Sequence, residues 1–553
     1  MAEAVRHIRQ FLSMKAGFPY LVLLSGIISV SLLSACAQTG SAYDVIVVGG
    51  GASGVPAGIQ AARSGAAALV IEEGPWLGGM LTSAGVSAID GNYHLRAGIF
   101  GEFCDSLAAR YGGYDRLRSG WVSNIMFEPR TGAEIFDNMV SSCDGLSVLK
   151  GTSVMSVSKR KNGWRVSTPA GNFRCRILID CTELGDIAAA AGVGYQVGND
   201  EGIVQDMTYV IIAQYFGEGE DRTVEEPEGY DRSLYVNCCL NPLNTEDFEK
   251  GQTLWSPEMM LSYGSLPNGM VMLNWPIEGN DFYANIIDAS AGQRLEAYRQ
   301  ARNKALGYLY FIQTELGMKN LGIAEGEFPT EDGLPLIPYF RESRRIDGEA
   351  RFTFEAASDP YGYTEPLYRT GIAPGDYPVD HHHFAHPDWR RLHKSYTAIP
   401  SFSVPAGALV PVGVEDLIVA EKSISTDGII NGATRLQPVV MEIGQAAGAM
   451  AALAVRNRCR VRDVNVRDIQ SELLESGARI QPYLDLEPSD ADFKTLQRIG
   501  STGLFKAEGR NVDWADEMWM HIGSPGRLDS IRTADAAGAF REMDVDWKGN
   551  ETN

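Results

Sequence analysis

Three glycines stand where an apolar strand gives way to a helix near the amino terminus of the chain. Gly49, Gly51 and Gly54 follow a β-branched run at residues 45–48 and make the pattern G-x-G-x-x-G. The first glycine permits a tight turn, the second lets backbone N–H groups approach a diphosphate, and the third lets the helix pack closely. Because a helix N-terminus carries positive partial charge, the pattern predicts a dinucleotide-binding site.

A carboxylate follows the next strand at the distance that such a site requires. The second apolar run, Ala68–Ile71, ends at Glu72, which lies 23 positions after Gly49. A carboxylate at that place accepts hydrogen bonds from both ribose hydroxyls and repels a 2′-phosphate. The next segment, PWLGGMLT at residues 75–82, is similar to the stretch that in many flavoproteins passes under the flavin. These features together favour FAD over NAD.

Histidines form a second group of residues suited to chemistry. The chain has eight, and His381, His382, His383 and His386 all fall within PVDHHHFAH. An imidazole that titrates near neutrality can take a proton from an alcohol while hydride leaves for a flavin, so His381 is a candidate base. A surface loop is the alternative interpretation. A metal site is the third, but no carboxylate or cysteine pattern joins the histidines, and we expect no metal.

Two arginines are candidates for stabilising charge during the reaction. Arg435 lies in GATRLQP, directly before a helix whose N-terminus is expected to face the flavin, where it would oppose developing negative charge. Arg344 lies in RESRR and is the second candidate. Its alternative is a structural role, in which the arginines of this motif pair with Glu342 or Glu349.

The surrounding periodicity predicts the elements that position these residues. Helical patterns run over residues 100–111 and 131–143, and strands are predicted at 146–149, 154–159 and 164–168, with a hairpin turn at 161–163. A further buried strand at 176–181 is expected to return to the first sheet. The fold class is therefore α/β, a Rossmann-type FAD-binding domain with a parallel sheet, accompanied by a mixed α+β substrate domain.

Three segments carry a resemblance to a known family. They read IDCTELGDIAAAAGV, LPLIPYFRESRRIDGEA and IVAEKSISTDGIINGATRLQPVVMEIGQAAGAMAALAV, and they resemble the bacterial FAD-dependent oxidoreductases that include many chains labelled "xanthan lyase". The resemblance covers about residues 43–456. It completes a set of expected cofactor contacts: Gly49, Gly51, Ser53, Gly54, Glu72, Gly79, Met80, Thr82, Val154, Thr182, Gly185, Asp186 and Gly444.

The chain divides into four predicted parts. Residues 1–35 form a signal peptide, and residues 36–200 together with 400–456 form the FAD-binding domain. Residues 201–399, rich in aromatics and in Pro/Gly loops, form a substrate domain over the flavin. Residues 457–553 are a C-terminal extension without a catalytic signal.

The first 36 residues have the features of an export signal. A basic region with Arg6, Arg9 and Lys15 precedes an apolar run at 18–33, and Leu-Ser-Ala-Cys ends at Cys36 like a lipoprotein processing site. A transmembrane anchor is the alternative, but the run is short and contains glycine and serine. We expect lipidation of Cys36 and anchoring on the extracytoplasmic side of a bacterial envelope membrane. No twin arginine is present, so FAD would be loaded after export.

Composition limits the partners. The formal net charge is −22 and no Lys/Arg cluster occurs, which argues against nucleic acid. No second G-x-G-x-x-G follows a strand, so we expect electrons to pass to or from a small-molecule substrate, oxygen or an external electron acceptor. Seven cysteines remain besides Cys36, and none makes C-x-x-C.

Three functions are compatible with these residues. The first is a lipid-anchored flavoenzyme that oxidises a C–H bond beside a hydroxyl or amine of a small molecule, such as a sugar. The second is a reductase of the fumarate-reductase kind, fed by a membrane-side electron carrier. The third is a non-catalytic envelope binding protein on a Rossmann core.

Overall fold

The computed structural model describes residues 42–245, 254–392, 397–504, 506–512 and 515–519. Cys36 and the predicted signal peptide lie outside these residues. The strands are β1 Ala42–Val48, β2 Ala68–Ile71, β3 Ala88–Ile89, β4 Ile125–Met126, β5 Leu146–Leu149, β6 Ser156–Arg160, β7 Gly163–Thr168, β8 Gly171–Asp180, β9 Tyr195–Gln196, β10 Met207–Thr208, β11 Ile211–Tyr215, β12 Val271–Leu273, β13 Asp281–Phe282, β14 Leu321–Ile323, β15 Arg345–Ile346, β16 Gly371–Gly375, β17 Phe402–Pro405, β18 Leu417–Val419, β19 Glu508–Val512 and β20 Ala515–Trp519. The α-helices are α1 Gly54–Arg63, α2 Gly98–Tyr111, α3 Pro129–Ser141, α4 Asp186–Ala190, α5 Pro257–Ser262, α6 Ala291–Thr314, α7 Phe354–Ser358, α8 Trp389–Leu392, α9 Asn431–Thr434, α10 Gln437–Asn457, α11 Val466–Glu475 and α12 Phe493–Thr502.

The largest sheet has the strand order β5-β2-β1-β8-β7-β6. The parallel part of the sheet consists of β5, β2, β1 and β8. The antiparallel part is a meander formed by β6, β7 and the first half of β8. The last three residues of β8 pair instead with β18, also in parallel. Val45, Ile46 and Val47 are fully buried, as expected for a parallel strand covered on both faces. The predicted Rossmann-type α/β class is confirmed.

Two helices cover one face of this sheet and contact each other through glycine. A Cβ atom at Gly444 of α10 would lie 2.0 Å from the carbonyl oxygen of Ser53, and one at Gly448 would lie 2.3 Å from that of Ala57. Only glycine permits so close an approach of α10 to α1. By length and composition α10 could cross a membrane, but 94% of its apolar window is buried, which identifies it as a core helix.

A second hydrophobic core lies between residues 184 and 340. The three-stranded antiparallel sheet β12-β11-β14 and the short pair β10-β13 pack there against the 24-residue helix α6. α6 begins with a capping box, because the Ser290 hydroxyl accepts from the Gln293 amide while the Gln293 side chain binds back to Ser290. This part of the molecule carries the aromatic residues that the sequence assigned to a substrate domain.

The core around α10 continues beyond residue 456. Ile469 and Leu473 of α11 and Leu496 and Ile499 of α12 belong to the same buried cluster as the inner face of α10. The segment after the predicted domain boundary therefore packs against the FAD-binding part.

Candidate active site

The glycine-rich loop is shaped by two very close contacts. Gly49 has a φ of +93°, and a Cβ atom there would lie 2.3 Å from the carbonyl oxygen of Cys181. A Cβ atom at Gly54 would lie 1.8 Å from the carbonyl oxygen of Gly49. Both positions therefore require glycine for the fold itself.

Gly51 differs from these two because nothing crowds it. The atoms nearest to a Cβ placed there are Glu183 Oε1 at 3.6 Å, Glu421 Oε2 at 3.7 Å and the Gly79 Cα at 3.8 Å. Within the described part of the chain the amides of Gly51 and Ala52 donate no hydrogen bond. Free amides at the N-terminus of a ten-residue helix, beside a residue without a side chain, fit the diphosphate of a dinucleotide.

Glu72 lies beside this loop at the end of β2. Its Oε2 accepts from the Gly50 amide at 2.6 Å and its Oε1 from the Gly74 amide at 2.7 Å. Burial raises the pKa of Glu72 to about 7, although both amides act in the opposite direction. Each carboxylate oxygen keeps a second lone pair for a ribose hydroxyl.

Further expected contacts surround the loop. A Cβ atom at Gly79 would lie 2.9 Å from the Gly51 Cα, and Gly444 packs on Ser53. The Thr182 backbone nitrogen would lie 2.9 Å from a Cβ at Gly49, which brings the turn after β8 to the same place. The structure thus gathers Gly49, Gly51, Ser53, Gly54, Glu72, Gly79, Thr182 and Gly444 around one loop.

Other expected contacts are engaged within the protein. The Met80 side chain is buried in an apolar cluster, and the Thr82 hydroxyl donates to the Leu77 carbonyl at 2.6 Å. Val154 packs, half-buried, against the sheet. The roles of these three in cofactor binding stay predictions.

Gly185 and Asp186 follow the turn after β8. Gly185 has a φ of +67° and precedes α4. The Asp186 carboxylate pairs with Arg294 at 2.8 Å and with Arg344 at 2.7 Å. Burial acts to raise the pKa of Asp186, but the two guanidinium groups outweigh it and hold that pKa below its ordinary value.

A second group of polar residues gathers at the N-terminus of α10. Arg435 is buried and donates from Nη1 to the Tyr339 hydroxyl at 2.7 Å and from Nη2 to Asp380 Oδ2 at 3.0 Å. The Asp90 amide donates to the Gln437 side chain of α10 at 3.2 Å. Gly444, the residue of α10 that contacts the glycine-rich loop at Ser53, lies seven residues after Gln437. This polar group is therefore roughly 10 Å along the helix from the loop.

His381 is neutral at this place. Its Nε2 lies 2.9 Å from the Ile429 carbonyl oxygen, which fixes the proton on Nε2 and leaves Nδ1 as the basic nitrogen. Burial lowers the pKa of His381 to about 4, and the nearby Arg435 acts in the same direction. The sequence predicted an imidazole that titrates near neutrality. In the structure the pKa of His381 is lower than predicted, because the buried ring is desolvated.

His382 has the opposite environment. Its Nδ1 lies 3.1 Å from Asp281 Oδ2 and its Nε2 lies 3.1 Å from Asp380 Oδ2. Burial and the nearby Arg341 lower its pKa, but the two carboxylates outweigh them and raise the pKa of His382 above its ordinary value. A histidine held protonated between carboxylates is an ionic bridge and a poor base.

Asp90 is a member of this group that the sequence did not indicate. Its Oδ1 is buried and has no hydrogen-bond partner in the described part of the molecule. Burial and the negative charge of Asp380 raise the pKa of Asp90 to about 7, against the effect of Arg435. No local pattern marks Asp90, because its partners lie about 300 residues further along the chain.

The three arginines of RESRR lie in three different ion pairs. Arg341 contacts Asp281 at 3.1 Å. Arg345 pairs with Glu342, as the structural alternative for these arginines predicted. Arg344 donates to Asp186, Asp288 and the backbone oxygens of residues 184 and 287. Arg341 joins the Arg435 cluster through Asp281 and His382, whereas the ion pairs of Arg344 with Asp186 and Asp288 share no residue with that cluster. The catalytic role of Arg344 stays a prediction.

An ion triad of buried Glu421, buried Lys422 and half-buried Glu183 lies at the glycine-rich loop, and the sequence did not indicate it. Glu421 binds the amide and hydroxyl of Ser53, and Lys422 bridges Glu421 and Glu183. All three residues lie in segments quoted for the family resemblance, yet nothing in their spacing shows that they meet.

The βαβ unit, the glycine-rich loop with its free amides and the carboxylate of Glu72 are the features of a Rossmann-type dinucleotide-binding protein. A family model described as FAD dependent oxidoreductase matches residues 44–473, well over half of the chain. The chain belongs to this family, it is an FAD-dependent oxidoreductase, and FAD is its cofactor. No curated protein shows significant sequence similarity to the chain.

Solved structures match about a third of the chain. OxyS anhydrotetracycline hydroxylase from Streptomyces rimosus is 17% identical over 32% of this chain and 38% of its own, with a TM-score of 0.23. NikD, an unusual amino acid oxidase of nikkomycin biosynthesis, is 14% identical over 33% and 59%, with a TM-score of 0.21. PieE, a flavin-dependent monooxygenase in complex with FAD and substrate, is 14% identical over 31% and 35%, with a TM-score of 0.23. Sequence identities and TM-scores as low as these say nothing about the activity of the chain.

Proposed function

We propose that the protein oxidises a C–H bond beside a hydroxyl or amine of a small organic molecule. The observation that carries this proposal is that neutral His381 lies close to cationic Arg435, just before α10, with each side chain held by its own hydrogen bonds. FAD, when bound, supplies the two-electron acceptor. The protein must then supply a base that takes the substrate proton and a positive charge that stabilises the negative charge developing on the flavin.

His381 meets the first requirement. Its Nε2–H is committed to the Ile429 carbonyl, and Nδ1 makes no hydrogen bond to any residue that the structure describes. A ring that is neutral above about pH 4 can accept a proton there throughout the physiological range.

Arg435 meets the second requirement. Its guanidinium is fixed by Tyr339 and Asp380, so no reorganisation is needed when negative charge develops nearby. The N-terminal end of the 21-residue helix α10 adds positive partial charge at the same place.

A cavity of about 780 Å³ could hold an organic molecule of modest size, but neither His381 nor Arg435 lines it. Asp281, which binds His382, forms part of its wall, and Tyr230, Tyr283 and Phe384 contribute aromatic surface. Apolar rings with a few polar groups are typical of small-molecule pockets, and a sugar is one ligand of this kind.

We further propose that the enzyme works on the extracytoplasmic face of a bacterial envelope membrane, held by a lipid on Cys36. The support is the basic region, the apolar run and the Leu-Ser-Ala-Cys sequence of residues 1–36. An external electron acceptor or oxygen would then reoxidise the flavin.

The test is an anaerobic screen in which sugars, alcohols, amines and unsaturated acids are mixed with the FAD-loaded protein while its absorbance near 450 nm is followed, roughly the flavin maximum. Bleaching by a member of the first three groups supports the proposal. Oxidation of reduced viologen by an unsaturated acid, without bleaching by any alcohol or amine, would contradict it and favour the reductase. A protein that takes up no FAD would favour the binding protein.

A further inference from the structure

The anion bound by the glycine-rich loop in this structure is a side chain of the chain itself. Glu421 Oε2 accepts from the Ser53 amide at 3.1 Å and from the Ser53 hydroxyl at 2.6 Å. Ser53 is the residue before α1, so the carboxylate lies at the positive end of that helix. Glu421 and Ser53 are both fully buried.

The backbone at Glu421 is unusual. Its φ is +58°, in the left-handed region that disfavours residues with a Cβ atom. Glycine would adopt this conformation without strain. Glu421 therefore adopts an unfavourable backbone conformation, and its side chain contacts Ser53 and Lys422.

Lys422 joins Glu421 to a second carboxylate. Its Nζ lies 2.6 Å from Glu421 Oε1 and 2.6 Å from Glu183 Oε2, and its side chain is fully buried. Glu183 Oε1 is buried and has no hydrogen-bond partner among the described residues. Both carboxylates approach the open side of Gly51, at 3.6 and 3.7 Å from a Cβ atom placed there. One buried ammonium thus serves a buried carboxylate, Glu421, and a half-buried one, Glu183, beside the expected diphosphate position.

We propose that the Glu421 carboxylate occupies a diphosphate position of the loop, that FAD must displace it, and that Lys422 then becomes the cation for the diphosphate. A carboxylate and a diphosphate cannot share the Ser53 amide, because like charges at hydrogen-bond distance repel strongly at a buried site. Lys422 is the one cation in the triad, and release of Glu421 frees one of its hydrogen bonds. The inference rests on FAD as the cofactor and is independent of the proposed substrate.

This arrangement has a consequence for folding. A helix N-terminus that is buried without an acceptor is destabilising, and Glu421 supplies that acceptor before the cofactor binds. A chain that folds first and meets FAD afterwards would keep its loop intact in this way. The same contact lowers the affinity for FAD, because its energy is lost when the cofactor enters.

The test compares Glu421→Gln with the wild type, both stripped of FAD and titrated with FAD while flavin fluorescence is followed. Removing the charge that competes with the diphosphate should tighten the Kd by about tenfold. The melting temperature of the stripped variant should fall below that of the wild type, and the FAD-loaded forms should melt alike. Glu421→Gly removes the carboxylate and the unfavourable φ together, and it should also tighten the Kd.

The chain offers a matched control. Glu327 is a buried carboxylate whose Oε1 accepts from the Arg130 amide at 2.6 Å, in the first turn of α3. Glu327→Gln should lower the melting temperature of the stripped and loaded forms equally and leave the Kd within about twofold, because that helix end binds no cofactor group.

Lys422→Met tests the second half of the proposal. It should weaken FAD binding by about tenfold or more, because the diphosphate loses its buried cation. Unchanged or weaker FAD binding by both Glu421 variants would overturn the displacement. Equal loss of stability in the stripped and loaded forms of Glu421→Gln would also overturn it, since Glu421 would then keep its contact. An unchanged Kd in Lys422→Met would overturn the role of Lys422.

Discussion

Gly51→Ala separates cofactor binding from folding better than any other change in the loop. A methyl group at this position would have its nearest neighbours at 3.6 to 3.8 Å, which is ordinary van der Waals contact, and the φ of Gly51 is not in the left-handed region. The stripped variant should therefore fold and melt at or slightly above the wild-type temperature, since Gly-to-Ala changes stabilise by about 0.4–1 kcal/mol at compatible sites.

The same methyl group should prevent close approach of the diphosphate. It would lie beside the unpaired amides of Gly51 and Ala52, and a charge-assisted hydrogen bond contributes about 1.5–3 kcal/mol. Loss of one or two such bonds, about 3 kcal/mol in all, weakens the Kd for FAD about a hundredfold. Isothermal titration of stripped protein with FAD measures this directly.

Gly54→Ala is the contrasting variant. Its methyl group would lie 1.8 Å from the Gly49 carbonyl oxygen, so that protein should fail to fold or lose most of its stability. Wild-type FAD affinity in folded Gly51→Ala would refute the assignment of the loop amides to the diphosphate.

Three further predictions concern pH, catalysis and location. Burial raises the pKa of Asp90 from 3.8 to about 7, so its stabilising contribution is complete below about pH 4, falls by about 1.4 kcal/mol per unit as the pH rises from about 4 to 7, and is lost above that. Urea unfolding should show a flatter decline from pH 5 to 7 in Asp90→Asn than in the wild type, and parallel profiles would contradict this. His381→Ala should slow flavin reduction by an identified substrate about a hundredfold and remove a rise in rate through about pH 4; stopped-flow traces equal to wild type would remove His381 from the active site. Cys36→Ser should abolish incorporation of labelled palmitate and release the protein from membranes or leave an uncleaved precursor, and a wild type that incorporates no palmitate would show that the lipidation prediction is wrong.

Local patterns predicted the first half of the fold well, because its elements are contiguous in the chain. The strand, glycine turn, helix and second strand appear as β1, α1 and β2, and the hairpin turn predicted at 161–163 lies between β6 and β7. The helix predicted over 131–143 begins two residues earlier, since Pro129 is favourable in the first turn.

The active-site partners could not be predicted in the same way. Asp90, Asp281, His382 and Arg435 meet through pairings that span most of the chain, and no periodicity encodes them. The sequence also could not distinguish the adjacent His381 and His382, whose opposite pKa shifts depend on which carboxylates face each ring.

The position of Glu421 depends on backbone geometry. A positive φ at a non-glycine residue leaves no mark in composition, so no sequence pattern could place this carboxylate at Ser53.

We propose that FAD lies with its flavin at the N-terminus of α10, next to Arg435. The midpoint potential of the bound FAD tests it without knowledge of the substrate. Arg435→Gln removes a fixed positive charge that stabilises the reduced, anionic flavin, so the potential should fall by about 30–60 mV, at about 30 mV per 1.4 kcal/mol for two electrons. Arg344→Gln, in the separate ion-pair cluster with Asp186 and Asp288, should leave the potential nearly unchanged. An unchanged or higher potential in Arg435→Gln would show that the flavin does not lie next to Arg435.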